Sequence, residues 1–350
     1  MFKQFIGMAC ASLLLSVGFA TADVTINGAG ASFPDPLYKK LIGEYTRIHT
    51  DVRINYASEG SGAGIKKFSE GTIDFGGTDS PMKDSQMARA TGGKLFHVPT
   101  ALGAVVPIYN IAGVDDLKLS GPVLADIFLG NITKWNDAKI AALNPEVKLP
   151  SAAITVVHRS DGSGTTAIFV DYLAKISPEF KEKIGTGTSV KWTAPGAIGA
   201  KGNEQVSANV QRTRNSIGYV ELIYAMANKI KFAPVQNKAG KFVTASLETT
   251  SAAAGDLTSA PADLRMSITD AAGEDAYPIS SLTWILAYEQ QKDAAKGKAL
   301  VDFLWWATHD GQAIHPEVHY APLPQALVEK IEVMLSSIKG PDGQALLSGK

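Results

Sequence analysis

ITVVHRSDGSGTTAIFVDYL, residues 154–173, begins with a β-branched apolar run at 154–157. It passes through His158, Arg159, Ser160 and Asp161 to a turn at Gly162-Ser163-Gly164-Thr165. Beyond the turn, Ile168, Phe169, Tyr172, Leu173 and Ile176 fall at helical spacing on one stripe. A strand that turns into a helix through small polar residues leaves the first helical N–H groups without partners and pointing outward. Glycines let an oxyanion approach that backbone, and the helix dipole favours negative charge there. Arg159 and Asp161, two apart on an extended segment, lie on the same side. A guanidinium beside exposed N–H groups can grip two anionic oxygens at once. An ordinary β-to-α connection capped by Ser and Thr has the same local pattern, so the rest of the chain must decide.

Three further stretches share the design. Val24-Thr25-Ile26 leads into Gly28-Ala29-Gly30-Ala31-Ser32-Phe33-Pro34, followed by Leu37, Leu41, Tyr45 and Ile48 on one helical face. Residues 52–56 alternate as a strand and run into Glu59-Gly60-Ser61-Gly62-Ala63-Gly64, then a short helix carrying Ile65 and Phe68. Residues 72–75 read as a strand, Gly76-Gly77 as a turn, and Thr78-Asp79-Ser80-Pro81 as the start of a helix. Each turn offers donors at the carboxyl end of a strand, the edge where open α/β sheets bind ligands. Further on, residues 103–110 and 279–288 read as buried strands and 218–221 as another strand. Residues 205–213, 299–307 and 324–338 read as helices, while 245–262 is helix or loop. Strands alternating with helices imply an α/β fold with largely parallel sheets. The donor loops group before residue 82 and near residue 160. An anion held between two such groups would sit in a cleft between domains.

Composition limits what the ligand can be. Lys3, the apolar stretch 5–20 and Ala20-Thr21-Ala22 form an export signal expected to be removed after Ala22, and it is too short to span a membrane. Cys10, the only cysteine, lies inside it, so the mature chain has no disulfide and no thiol chemistry. Taking 22 residues from 350 leaves 328, enough for two domains. Losing Lys3 leaves 32 of the 33 basic residues against 34 acidic, a net charge of −2. Such a chain has no global attraction for nucleic acid or acidic lipid, and no later stretch is apolar enough to cross a membrane. An anion site must be built locally, from backbone dipoles and one or two arginines.

The collinear set of motifs resembles the periplasmic phosphate-binding proteins of high-affinity ABC phosphate importers. Gly28-Ala29-Gly30-Ala31-Ser32-Phe33-Pro34 is similar to the first phosphate loop of that family, with Ser32 where Thr is usual. Ser61 falls in the second loop, with Gly62-Ala63 in place of a frequent Ser-Gly. Asp74-Phe75-Gly76 followed by Asp79 is similar to the third, and Arg159-Ser160-Asp161-Gly162-Ser163-Gly164-Thr165 to the family signature. Residues 126–130, 185–187, 191–192, 217–221 and 273–279 supply further landmarks.

The resemblance implies the two-lobed periplasmic binding protein fold. Each lobe would be a mixed sheet flanked by helices, joined by a two-segment hinge with the ligand in the cleft. Residues 23–102 plus 279–350 would form the first lobe and 103–278 the second, with crossings near 98–106 and 274–284. It implies phosphate contacts from Ser32, Phe33, Ser61, Asp79, Arg159, Ser163, Gly164 and Thr165, with Asp161 orienting Arg159. It further implies a periplasmic monomer that hands phosphate to a membrane permease and uses no cofactor, no metal and no nucleic acid.

Asp79 is the odd member, since a carboxylate should repel an anion. It makes sense if the bound anion keeps a proton to donate, as phosphate does near neutral pH, with its second ionisation at about 6 as in phosphoesters. Sulfate has none and would leave Asp79 charged and unpaired, a penalty of several kcal/mol or about 10⁴-fold. This argues against receptors for sulfate, molybdate or tungstate. A secreted phosphatase or serine hydrolase is also disfavoured: Gly162-Ser163-Gly164 is not G-x-S-x-G, and no histidine is placed to activate Ser163. His315-Pro316-Glu317-Val318-His319 is not H-E-x-x-H, and no P-loop occurs. An adhesion or scaffold role would need an exposed partner surface that composition does not reveal.

Overall fold

A computed structural model describes residues 23–347 except Asp256. The export signal read at 1–22 lies outside the described residues. Among those described, no helix is long and apolar enough to cross a membrane.

Among the described residues there are ten strands, β1 (Val24–Gly30), β2 (Val52–Ser58), β3 (Phe75–Thr78), β4 (Leu95–Asn110), β5 (Thr155–Arg159), β6 (Ile198–Ala200), β7 (Ser216–Glu221), β8 (Val235–Gln236), β9 (Phe242–Val243) and β10 (Ser280–Tyr288). Eight of them form one hydrogen-bonded row in the order β2-β1-β3-β10-β4-β7-β5-β6, and β8 and β9 make a separate pair. Pairing is parallel at both ends of the row, β1 with β2 and β3, and β5 with β6 and β7. The centre, β3-β10-β4-β7, is antiparallel. The expected mixed α/β architecture is therefore present. The parallel blocks carry the crossover helices that parallel pairing requires, Asp35–Ile48 and Ser61–Ser69 in one block, Gly164–Ile176 and Gly202–Arg212 in the other.

β4 joins the blocks. Nine of its first ten residues, through Ala104, pair with β10, the register shifting past Thr100, and from Val105 onward it pairs with β7. All but its second and last residues are buried, as a strand covered on both faces requires. The main core runs through both blocks and includes Trp135, Tyr219, Trp284 and Tyr320, all with no exposed surface. A smaller cluster gathers Ile65, Phe68, Met82, Leu95, Leu286 and Tyr288.

Two local readings need correction. Residues 72–74 precede the strand, and Gly76 and Gly77 lie inside β3, pairing with Ala29 and Gly30. A Cβ on Gly77 would overlap the Tyr56 hydroxyl and one on Gly76 would press on Phe68, so close packing, not turning, explains these glycines. The segment after Thr78 is also no helix start; the next helix begins only at Asp84. Asp79 thus sits on a loop, free to bond sideways.

Two buried histidines add a pH dependence. His97 is 1% exposed and its Nε2 accepts the Met82 N–H at 2.9 Å, so it must stay neutral there. Burial, aided by Arg265, lowers it to about 3, and burial lowers His315 to about 4. A histidine with a depressed folded pKa gives stability that is complete above its unfolded value of 6.5 and lost as pH falls toward the folded value. Between pH 7 and pH 4, His97→Asn should therefore gain about 3 kcal/mol of stability relative to wild type. Denaturant titrations of both proteins at the two pH values check this; a pH-independent difference would contradict it.

Candidate functional site

Arg159 ends β5 and is 4% exposed. Its Nε donates to Asp161 Oδ1 at 2.7 Å and its Nη2 to Oδ2 at 2.5 Å, while Nη1 reaches Thr165 Oγ1 at 3.4 Å. A guanidinium has five N–H donors. Asp161 takes two and Thr165 one, which leaves one on each terminal nitrogen for a further oxyanion. Burial raises the Asp161 carboxyl, but Arg159 and the Gly202 N–H outweigh it and hold it below the ordinary carboxylate value. The ion pair and the ligand grip are thus compatible uses of one side chain. The Arg159 backbone N–H donates to the Tyr219 hydroxyl at 3.2 Å, which also bonds Thr166.

Ser163 is the N-cap of the helix Gly164–Ile176, with its Oγ accepting the Thr166 N–H at 3.0 Å. Capping uses its acceptor and leaves the O–H free to donate. Gly164 and Thr165 then occupy the first turn, where helical N–H groups lack intrahelical partners. Residues that could cap a plain connection do cap it here.

Asp79 is 3% exposed. Its Oδ1 accepts from Thr283 Oγ1 at 2.7 Å and its Oδ2 from Ser61 Oγ at 3.3 Å, and its own N–H donates to Ser61 Oγ at 3.2 Å. Burial raises this carboxyl to about 7, against the opposing pull of Thr283, Arg159 and Ser61. Ser61 opens the helix Ser61–Ser69, and Gly62 N–H donates across to Gly162 O at 2.8 Å, tying the β2 loop to the β5 loop. A Cβ on Gly164 would overlap both Asp79 Oδ2 and Ser61 Oγ. The two parallel blocks are therefore drawn together around this point.

Ser32 follows β1 and is 2% exposed; its Oγ accepts from Asn203 Nδ2 at 3.0 Å. Phe33 has no exposed surface, packs edge-on against Tyr320 and gives its carbonyl to the Tyr320 hydroxyl. Every residue named from the sequence, Ser32, Phe33, Ser61, Asp79, Arg159, Asp161, Ser163, Gly164 and Thr165, belongs to this one locus. The open cleft mouth beside it, a 340 Å³ cavity, shares only Asp79 with the set; Pro81, Ile168, Asp171, Arg265 and Trp284 also line it. The donors lie behind the mouth, buried, which is where charge interactions are least screened.

Asn203, Thr283 and Tyr219 were not singled out as site residues. Asn203 carried a usable signal, since Ala200-Lys201-Gly202-Asn203 is another strand–glycine–helix turn and its helix starts at Gly202, ahead of the expected 205. Thr283 had none: it lies in a nine-residue strand buried throughout. Elsewhere, His315 is buried in a short 3₁₀ segment. Among the described residues no group of three His, Cys, Asp or Glu side chains is arranged to hold a metal.

Gly164→Ala tests the closeness of the loops. The first helical turn accepts alanine, but the added methyl must push Asp79 and Ser61 aside, which costs stability as well as displacing two groups of the site. Overpacking of this kind costs about 1–3 kcal/mol, so phosphate affinity should fall roughly 10- to 100-fold by calorimetry. Unchanged affinity would show the loops to be looser than described.

Known proteins resemble the chain in sequence and in fold. The profile of the PBP superfamily domain matches residues 17–308. The phosphate-binding protein PstS of Xylella fastidiosa (strain Temecula1) is 48% identical over 320 residues, covering 91% of this chain and 86% of its own. That of Pasteurella multocida is 42% identical over 343 residues, covering 97% and 98%. Among solved structures, a periplasmic phosphate-binding protein bound with phosphate (PfluDING) superposes with a TM-score of 0.72 at 23% identity, covering 89% of this chain and 94% of that one. A phosphate-binding protein from Stenotrophomonas maltophilia gives 0.69 at 22%, covering 89% and 93%. At those identities the structures speak for the fold alone. The sequence relatives, similar across nearly the whole length, show that the chain belongs to the PstS phosphate-binding proteins of the PBP superfamily.

Proposed function

We propose that the protein is the extracytoplasmic receptor of an ABC phosphate importer, binding inorganic phosphate and delivering it to the membrane permease. Ser32, Phe33, Arg159, Ser163, Gly164 and Thr165 supply the donors together with the backbone N–H of Ser61, Asp161 orients Arg159, and Asp79 accepts the proton that phosphate retains. Residues 23–102 with 279–350, and 103–278, act as two lobes that close on the ion. The partner exchange of β4 at Ala104 and Val105 supports a hinge there. The chain works in the periplasm after loss of residues 1–22, as a monomer, without cofactor and without turnover.

The observation that carries this reading is a carboxyl, Asp79, 3% exposed and accepting from Thr283 and Ser61 among groups that otherwise donate, where burial pushes its pKa up. Titrating the mature chain with phosphate, sulfate and a chromogenic phosphate ester tests it. Calorimetry and the fluorescence of Trp284 at the cleft mouth serve as readouts. One phosphate per chain, weak sulfate and no released chromophore are expected. Tight sulfate binding would favour a receptor for fully deprotonated oxyanions, and release of chromophore a phosphatase.

A further inference from the structure

We propose that Asn203 sets the donor polarity of the two hydroxyls, Ser32 and Thr165, that meet the anion from the β1 loop and the β5 loop. This rests on the phosphate-receptor reading and adds a positioning residue to it.

A hydroxyl has one proton and two lone pairs, so what occupies the lone pairs decides where the proton goes. Ser32 Oγ lies 3.3 Å from the backbone N of Asn203 and 3.0 Å from its Nδ2, both donors. Thr165 Oγ1 lies 3.2 Å from the same Nδ2 and 3.4 Å from Arg159 Nη1, again both donors. One amide nitrogen, with two protons, therefore serves both hydroxyls. Each oxygen has its acceptor capacity filled, and each O–H is left as the group available to a ligand.

The orientation of the amide follows from its other end. Asn203 Oδ1 accepts the Glu221 N–H at 3.2 Å. A flipped amide would set two donors against each other at Glu221 and turn an acceptor toward Ser32 and Thr165, drawing their protons off the anion. Asn203 and Thr165 have no exposed surface and Ser32 only 2%, so solvent cannot substitute for the missing donor. Glu221 ends β7, opposite Val105 where β4 changes partner, so the amide is held from the centre of the sheet. Ser61 shows the contrast. Its Oγ accepts one bond from Asp79 N–H and donates to Asp79 Oδ2, so its proton is tied to the carboxyl.

Phosphate calorimetry on mutant cycles tests the assignment. Asn203→Ala should weaken phosphate about tenfold in the otherwise wild-type protein, the worth of two neutral hydrogen bonds. In a Ser32→Ala or a Thr165→Val background, the same change should cost only about threefold, because one hydroxyl is no longer there to orient. A residue that merely supports the fold would cost the same in all three backgrounds, and that outcome overturns the proposal. Should Asn203→Ala fail to fold, Asn203→Asp keeps the volume and the Glu221 bond while replacing the donor with an acceptor. Its penalty should shrink at least fivefold in either background, and an unchanged penalty again overturns the proposal. Failure of the wild-type protein to bind phosphate would instead strike the receptor reading itself.

Discussion

Arg159→Ala should weaken phosphate binding about 10³-fold while leaving a folded protein. The change removes the one cation of the site, buried and hydrogen-bonded, and truncating one member of such a pair costs about 2–5 kcal/mol. Two remaining N–H groups on its terminal nitrogens are free for the ion, and no other donor in the locus carries charge. The variant also leaves Asp161 without its partner. That carboxyl is held below its ordinary value in the wild type, so it contributes stability above the unfolded pKa, and this is lost as pH falls through the folded one. Loss of Arg159 should remove this contribution and lower the melting temperature most at neutral pH. Arg159→Lys keeps the charge without the planar fork and should recover only part of the affinity. Calorimetry on the three proteins decides: retention of tight binding by Arg159→Ala would mean that the ion sits elsewhere.

Asp79→Asn should change discrimination far more than affinity. Asparagine matches aspartate in volume, can still accept from Thr283, and offers the anion an NH₂ group in place of an acceptor. Phosphate should bind within about tenfold of wild type, while sulfate gains, so that the preference for phosphate falls toward unity. The raised carboxyl adds a pH test. Asp79 is ionised above about 7 and neutral below it, so wild-type sulfate affinity should rise as pH drops from 8.5 to 5.5, while that of Asp79→Asn stays flat.

Stability gives an independent sign. A carboxyl raised in the folded state favours folding below its unfolded pKa, and that advantage is lost as pH climbs through the folded one. Ligand-free Asp79→Asn should therefore be more stable than wild type at pH 8, by on the order of 4 kcal/mol, with the gap closing by pH 4. If sulfate rejection persists in the variant at pH 8.5, the proton-acceptor role of Asp79 is wrong.

The donor loops were legible because their chemistry is local. The turn at Gly162-Ser163-Gly164-Thr165 must cap a helix and expose its first N–H groups, and Arg159 and Asp161 pair because they are two apart on a strand. The structure keeps both features. The glycines at 76 and 77 misled for the opposite reason. Their need is set by Tyr56 and Phe68, side chains that reach them only after the strands pair.

What the sequence alone determined is the set of short-range devices: the strand–glycine–helix turns, the Arg159–Asp161 pair, the α/β alternation, and the balance of charge that forces any anion site to be local. What only the tertiary structure decided is everything carried by contacts between distant segments. Thr283 reaches Asp79 across 204 positions, and Asn203 reaches Ser32 across 171. Burial that lifts Asp79 to about 7 arises from the same convergence. Periodicity and capping report on neighbours within a turn or two, whereas desolvation and the direction of a hydroxyl proton depend on which groups the folded sheet brings to one point.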